Sequence, residues 1–222
     1  MSLPKPYFQD SYVTIYHADC RDILPLFEPN SIDLVLTDPP YGISYRGTSK
    51  PQRVPHRRTT PRQLASSIII GDDTKFDPTP LLKFPDIIIY GAIHFADVLP
   101  ISHGWLVWDK LDGVTPSSFS DCDLAWHKQG TRTAMFSYLW RGICQAGEKG
   151  LRLHPNQKPV ALMVWSISKA KVANIILDPY MGSGTTLRAA KDLGRKAIGI
   201  EIEERYCEIA SKRMSQSSMP LQ

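Results

Sequence analysis

The most informative segment of the chain is NIILDPYMGSGTT, from Asn174 to Thr186. Residues 174–178 are rich in branched aliphatic side chains, which predicts a buried strand. Gly182 and Gly184 then permit a tight turn with close backbone approach to a ligand, and a helix is predicted from about residue 185 to 193. A strand, a glycine turn and a helix in this order predict an α/β fold that binds a nucleoside at the strand's end.

A carboxylate strengthens this interpretation. Glu201 ends the next predicted strand, residues 196–201, where nucleoside-binding α/β folds place an acid that accepts hydrogen bonds from ribose hydroxyls. The glycine turn alone could be a strand-to-helix connection that binds nothing. The position of Glu201 at the end of the next strand counts against that alternative. No Lys-Ser or Lys-Thr pair follows Gly184 at P-loop spacing, so nucleoside triphosphate hydrolysis is not indicated.

Strands and helices alternate along the rest of the chain. Further strands are predicted at residues 12–17, 32–37, 87–90, 105–108, 123–127 and 134–139. Further helices are predicted at residues 20–27, 92–99, 159–173 and 203–214. The strands at 123–127 and 134–139 are expected to form an antiparallel edge hairpin through Gln129 and Gly130. The pattern predicts one α/β domain over residues 1–222, with a mostly parallel sheet covered on both faces.

A second motif, Asp38-Pro39-Pro40-Tyr41, directly follows the apolar strand at 32–37. Its prolines end the strand and place Asp38 at the carboxyl end. The Asp38 carboxylate and the Pro39 carbonyl could each accept a hydrogen from an aromatic amino group, whose lone pair is otherwise delocalised into the ring. Pro39 and Pro40 stiffen this geometry, and Tyr41 could stack on a base flipped out of a duplex. The motif predicts methylation of an exocyclic amino nitrogen, although Asp-Pro-Pro could also do no more than end a strand.

The cysteines indicate neither metal binding, nor disulfides, nor carbon methylation of cytosine. They are widely spaced with no CxxC pair, so neither a zinc site nor a disulfide framework is expected, and no metal is predicted. None follows a proline in a strand-end motif, as carbon methylation of cytosine would require. The four are Cys20, Cys122, Cys144 and Cys207.

Residues 43–71 form a long basic segment without a single acidic residue. Long loops inside compact domains are usually functional or disordered, so this one is a candidate DNA-contact loop that could order on binding. Its cations could contact phosphates, and one or two could read guanine edges, although a solvated loop is the alternative for any single arginine. Residues 110–152 are a second candidate region for target recognition. The candidate DNA-binding cations are Arg46, Lys50, Arg53, Arg57, Arg58 and Arg62.

Together with the segment His154-Pro155-Asn156-Gln157-Lys158-Pro159, the two motifs resemble the amino-methylating DNA methyltransferases of the beta arrangement, in which the catalytic motif precedes the cofactor motif. The resemblance covers most of the chain. It implies S-adenosylmethionine as cofactor and a Rossmann-like, seven-stranded sheet, circularly permuted so that the first strand lies beside the one ending at Glu201. Asn156 departs from the threonine usual in the family, and Tyr180 from the usual phenylalanine.

The resemblance also implies a set of cofactor-binding residues. Asp19 would meet the adenine, Glu201 the ribose, and Lys158 with His154 the methionine carboxylate. Without the family, Lys158 could be an exposed lysine at a helix start and Asp19 a turn residue. The remaining implied cofactor residues are Asp178, Met181, Gly182, Ser183, Gly184 and Thr185.

The expected function is site-specific transfer of a methyl group to adenine N6 in DNA. In families that the chain resembles, aspartate at position 38 is more often tied to adenine N6 and serine to cytosine N4, although the chemistry would serve either base. Methylation of RNA or of a protein glutamine is disfavoured by motif order. The intact Asp38 and Tyr41 disfavour a non-catalytic DNA-binding module, and the missing GxGxxG disfavours a dinucleotide oxidoreductase.

Double-stranded DNA is the expected partner, and a homodimer and a companion restriction endonuclease are left open. The net charge of +4 permits an anionic partner without requiring one. Residues 1–6 lack the apolar core of a signal peptide, and no apolar run approaches membrane-spanning length. The sequence therefore predicts a cytoplasmic protein, bacterial or phage-encoded, that does not contact a membrane.

Overall fold

The computed structural model describes residues 2–44, 70–113, 120–141, 144–145 and 157–216. All six predicted DNA-binding cations of the basic segment lie outside these ranges, as do His154 and Asn156. Their predicted roles stay predictions.

The described residues form a nine-stranded sheet, a two-stranded ladder and four α-helices. The strands of the main sheet are β1 (Phe8–Gln9), β2 (Val13–His17), β3 (Leu34–Thr37), β4 (Asp86–Tyr90), β5 (Gly104–Asp109), β6 (Cys122–His127), β7 (Ala134–Ser137), β10 (Ile175–Asp178) and β11 (Lys196–Glu201). The ladder consists of β8 (Trp140–Arg141) and β9 (Cys144–Gln145). The helices are α1 (Cys20–Ile23), α2 (Val160–Ile167), α3 (Thr185–Asp192) and α4 (Glu204–Ser215). Short 3-10 helices span Leu24–Leu26, Pro29–Ser31, Thr79–Leu81, Ala92–His94 and Ala96–Val98.

The strand order in the main sheet is β1-β2-β11-β10-β3-β4-β6-β5-β7. Only β1 and β6 of these run antiparallel to their neighbours, so the sheet is mostly parallel, as predicted. The early strand β2 pairs in parallel with the late strand β11, with His17 opposite Glu201, which confirms the predicted circular permutation. The Rossmann-like α/β fold is therefore confirmed, with β1 and β7 extending the seven expected strands at the two edges.

An antiparallel strand pair lies near the β7 edge, as expected, but the predicted pairing of residues 123–127 with residues 134–139 is wrong. The strand β6 pairs antiparallel with β5, and β7 pairs in parallel with β5 on its other side. The turn after His127 carries the chain past the start of β5, where Gly130 lies so close to Gly104 that a Cβ on either would collide with the other's backbone. Local alternation predicts that two strands exist, but it carries no information about a third strand between them.

Three predicted helices are shorter than expected. The helix at 20–27 becomes 3-10 after Ile23, because Pro25 has no N–H to donate to a continuing helix. Residues 92–99 form two separate 3-10 turns, interrupted at Phe95 by a non-helical φ of −142°. The helix predicted over 159–173 ends at Ile167.

Two apolar layers cover the sheet. In β4, Ile88 and Tyr90 point to the layer formed with α2, α3 and α4, whereas Ile87 and Ile89 point to the layer formed with α1 and the 3-10 helices. All four side chains are fully buried. Burial of each contributes on the order of 1.5–3 kcal/mol, so both layers hold the central strands rigidly. Across the ranges that the structure describes, no helix is both long and apolar enough to cross a bilayer.

Candidate active site

The two motifs meet because their strands are parallel neighbours. In β3 and β10, Leu34 lies opposite Ile176 and Val35 opposite Leu177. The carboxyl ends of both strands therefore lie at the same edge of the sheet. There the buried Thr37 hydroxyl donates a 2.7 Å hydrogen bond to Asp178. This bond ties the strand that leads to the Asp-Pro-Pro-Tyr motif directly to the strand that leads to the glycine turn.

The Asp38 carboxylate is held by two side chains. The Tyr41 hydroxyl donates to Asp38 Oδ1 at 2.6 Å, and the Lys158 ammonium forms an ion pair with Oδ2. Lys158 Nζ also lies 3.4 Å from the Tyr41 oxygen and 5.2 Å from the centre of the Tyr90 ring. Lys158 is buried, so this ion pair is shielded from water more than a surface pair would be. The structure thus places Lys158 on the Asp-Pro-Pro-Tyr motif, and its implied role toward the cofactor stays a prediction.

The Tyr41 ring is fixed on two sides. It stacks against the His94 imidazole, with centroids 4.8 Å apart and 17° between the planes. Gly91, with a φ of 70°, lies so close that a Cβ there would be 1.9 Å from Tyr41 Cε1. Burial, and then the Asp38 carboxylate, raise the pKa of Tyr41 well above its usual value. The phenol therefore stays protonated and acts as the donor to Asp38.

Asp72 is a functional candidate that no sequence motif indicates. One oxygen of this buried carboxylate accepts the consecutive N–H groups of Tyr41, Gly42 and Ile43, at 3.0, 3.0 and 3.3 Å. The only sequence signal is weak: Asp72 is the first acidic residue after the acid-free segment 43–71.

Glu201 shapes the glycine turn. One carboxylate oxygen accepts the Gly182 N–H at 3.0 Å, and the other accepts the Glu203 N–H at 2.8 Å. Gly182 and Gly184 have φ values of 49° and 77°, which favour glycine, and Gly184 precedes α3 as its N-cap. Burial raises the pKa of Glu201. The predicted glycine and glutamate therefore adjoin each other in space.

Other predicted cofactor residues contact the protein itself. Asp178 is buried and accepts hydrogen bonds from Thr37 and from the Tyr180 N–H, and burial raises its pKa to about 6. The Met181 side chain is buried against Gly199. Arg213 donates to the carbonyl of Ser183 at 3.4 Å and to the hydroxyl of Thr185 at 3.1 Å. These contacts frame the turn, and direct contact of these side chains with a cofactor stays a prediction.

Asp19 lies at the same edge, one residue beyond Ala18, whose N–H donates to the Glu201 carbonyl at 3.0 Å. Its carboxylate caps α1 by accepting the Arg21 N–H at 2.9 Å, and it forms a 2.5 Å ion pair with the exposed Arg21 guanidinium. Hydrogen bonding from Arg21 lowers the pKa of Asp19.

Comparison with known proteins agrees with this geometry. A family model described as DNA methylase, for N6 and N4 enzymes, matches residues 107–212. The type II methyltransferase M2.LlaDCHI of Lactococcus lactis subsp. cremoris is 27% identical over 263 residues, covering 97% of this chain and 94% of the relative. M2.DpnII of Streptococcus pneumoniae, also a type II methyltransferase, is 26% identical over 252 residues, covering 96% and 93%. The family model and these relatives support placing this chain with the DNA amino-methyltransferases. The crystal structure of the M1.HpyAVI–SAM complex is 27% identical, with a TM-score of 0.52, and the match covers 90% of this chain and 99% of that one.

Both motifs lie at the carboxyl edge of the sheet. The structure brings Asp38, Tyr41 and Lys158 together as one cluster, and Gly182 and Glu201 as a second cluster. The bond between Thr37 and Asp178 joins the two.

Proposed function

We propose that this chain transfers the methyl group of S-adenosylmethionine to the exocyclic N6 of adenine in double-stranded DNA. The observation that carries the proposal is the parallel pairing of β3 with β10, which puts the strand ends leading to Asp38 and to the glycine turn side by side. The type II methyltransferases that match almost the whole chain support it, as does the similar protein solved with SAM.

The residues of the glycine turn fit this cofactor. A Cβ added at Gly182 would meet nothing within 4 Å, so a ligand can approach the backbone closely there. Glu201, 3.0 Å from the Gly182 nitrogen, can accept hydrogen bonds from ribose hydroxyls beside that open position. The proposal assigns the adenine to Asp19 and the methionine carboxylate to Lys158 and His154. When bound, S-adenosylmethionine would supply a sulfonium methyl group as the electrophile: the S–CH3 bond would break as the N–CH3 bond forms, the sulfur would keep the bonding electron pair as a thioether, and the methylated nitrogen would release one proton to solvent.

The Asp-Pro-Pro-Tyr motif prepares the adenine amino group. Asp38 and the Pro39 carbonyl each accept one amino hydrogen, which draws the nitrogen lone pair out of conjugation with the ring. The Asp38 charge also stabilises the positive charge that develops on the nitrogen, and this interaction is strongest in the transition state. Tyr41 holds the face of the flipped base by stacking.

The preference for adenine follows from Asp38. In the families that the chain resembles, aspartate at this position is more often tied to adenine N6, whereas serine is more often tied to cytosine N4. The acceptor chemistry itself does not distinguish the two amino groups, so the product must be identified chemically.

The proposal assigns DNA contact to the basic segment 43–71 and target reading to residues 110–152. Part of the second region, residues 122–127 and 134–137, forms the strands β6 and β7. A DNA substrate fits a cytoplasmic location. A companion endonuclease and a homodimer are partners that the proposal leaves to experiment.

The test is a labelling assay with product identification. Purified protein is incubated with tritiated S-adenosylmethionine and mixed-sequence bacterial duplex DNA that lacks methylated bases, and the DNA is then digested to nucleosides. We expect the label in N6-methyladenine. Label in N4-methylcytosine would overturn the base assignment, and label in neither nucleoside would reject DNA methylation. Parallel reactions with structured RNA and with protein test the other acceptors.

A further inference from the structure

The backbone that follows the catalytic prolines has lost its sheet partners. The ladder between β3 and its neighbours ends at Thr37, and Pro39 and Pro40 have no N–H to donate. Something else must therefore determine where Tyr41 lies. We propose that Asp72 is the positioning residue that sets the Asp38–Tyr41 segment, a role that rests on the methyltransferase function proposed above.

The contact has the geometry of an anion-binding nest. Three consecutive N–H groups, those of Tyr41, Gly42 and Ile43, converge on one oxygen of the Asp72 carboxylate. Successive N–H groups can point to one anion when a left-handed residue interrupts the chain, and Gly42 has a φ of 74°. A Cβ at Gly42 would also lie 2.6 Å from the Thr74 carbonyl oxygen, so the turn is closely packed against the residues after Asp72.

Asp72 holds the segment through its backbone as well. The Asp72 carbonyl accepts the Ser44 N–H at 2.7 Å. The preceding residue, Gly71, packs against the Pro40 ring, and a Cβ added at Gly71 would lie 3.7 Å from Pro40 Cγ. Asp72 is only 4% exposed, so water does not compete strongly for these bonds. Residues 71–72 thus clamp the chain from Pro40 to Ser44.

The clamp reaches the chemistry through Tyr41. The N–H of Tyr41 is bound by Asp72, and its hydroxyl donates to Asp38 Oδ1 at 2.6 Å. A shift of the Tyr41 backbone would therefore change both the Asp38 hydrogen bond and the ring face available to a base. Displacements of about 1 Å at such positions can lower a rate by on the order of 100-fold.

The experiment compares Asp72→Ala and Asp72→Asn with Asp73→Ala in the full chain. Asp73 is the neighbouring aspartate; it is exposed, and the contact described for it is a long 3.4 Å bond from the Thr74 hydroxyl. We expect Asp72→Ala to lower kcat about 100-fold, with the Kd for S-adenosylmethionine within about twofold of wild type. Asp73→Ala should keep both values. Asp72→Asn should recover part of the loss, because its amide oxygen can still accept the three N–H groups.

Two further measurements separate positioning from a general structural role. Hydrogen exchange of the amides at residues 41–43 should be at least about tenfold faster in Asp72→Ala than in Asp73→Ala, while exchange in β3 and β10 stays unchanged. The double variant Asp72→Ala/Tyr41→Phe should lose much less than the product of the two single losses, because both changes act through one contact.

If the kcat loss in the double variant equals the product of the two single losses, the proposal is overturned. An unchanged kcat or unchanged amide exchange in Asp72→Ala would also overturn it. If Asp72→Ala does not fold, Asp72→Asn is compared with Asp73→Ala in the same two measurements. If Asp72→Asn then has the kcat and the amide exchange of the wild type, Asp72 is needed for folding only, and the proposal is overturned. An inactive wild type would reject the proposed function, whereas an active wild type with an unaffected Asp72→Ala would reject this inference alone.

Discussion

Lys158 donates to the carboxylate of Asp38, although 120 positions separate the two residues in the chain. The ammonium is buried next to the Tyr41 hydroxyl and the Tyr90 ring. One cation therefore joins the Asp-Pro-Pro-Tyr motif to the segment that the family resemblance assigns to the cofactor. The Asp38 carboxylate is therefore oriented from two sides, by Tyr41 and by Lys158, before any substrate arrives.

Replacing the Asp38 carboxylate, the proposed acceptor for the amino group, should abolish most turnover but leave cofactor binding intact. In Asp38→Asn we expect kcat to fall on the order of 100- to 1,000-fold, because one charged acceptor in the transition state is lost. The Kd for S-adenosylmethionine, measured by calorimetry, should stay within about twofold. Asp97→Asn, an exposed aspartate paired with Lys75, is the matched control. Equal loss of affinity in a folded Asp38→Asn would contradict this division of roles.

Removing the Lys158 charge should affect the reaction more than the affinity. In Lys158→Met we expect kcat to fall about 100-fold, because the partly buried Asp38 carboxylate loses its cationic partner. If Lys158 also reaches the methionine carboxylate, the Kd for S-adenosylmethionine should weaken by up to about tenfold. The exposed Lys171, changed to Met, serves as the control. Unchanged kcat in Lys158→Met would show that its bond to Asp38 has no part in turnover.

The fit of Tyr41 over Gly91 can be tested with a pair of glycine substitutions. Gly91 and Gly194 have similar φ values of 70° and 66°, but a Cβ meets Tyr41 only at Gly91, whereas nothing lies within 4 Å at Gly194. Both alanine variants should lose about 1–2 kcal/mol of unfolding free energy from backbone strain. Gly91→Ala should lose further stability and most of its kcat, because Tyr41 must move. Equal kcat in the two variants would show that the position of Tyr41 is not critical.

Burial of Asp178 predicts a stability that falls as pH rises. Its pKa is raised from 3.8 to about 6, so the folded state binds a proton more tightly than the unfolded state. The stabilisation is therefore fully present below about pH 4 and is lost as pH rises through about pH 6, a change on the order of 3 kcal/mol. Urea unfolding of wild type and Asp178→Asn across this window should show the wild type losing stability relative to the variant. A constant difference between the two would mean that Asp178 titrates normally.

Sequence alone was enough to find most of the candidate site. Asp38, Tyr41, Gly182 and Glu201 each follow or end an apolar strand, and a strand followed by a proline or glycine is a local pattern. Parallel strands present their carboxyl ends at one edge of a sheet, so residues that follow such strands are expected to lie at the same edge.

The contacts between distant segments depend on the tertiary fold. The clamp by Asp72, the Lys158–Asp38 ion pair and the stacking of His94 on Tyr41 each join separate loops that have no shared local pattern. The position of β5 between β6 and β7 likewise depends on the tertiary fold. Periodicity reports which face of a segment is buried, whereas the partner that buries it is chosen by packing and strand register across the whole sheet.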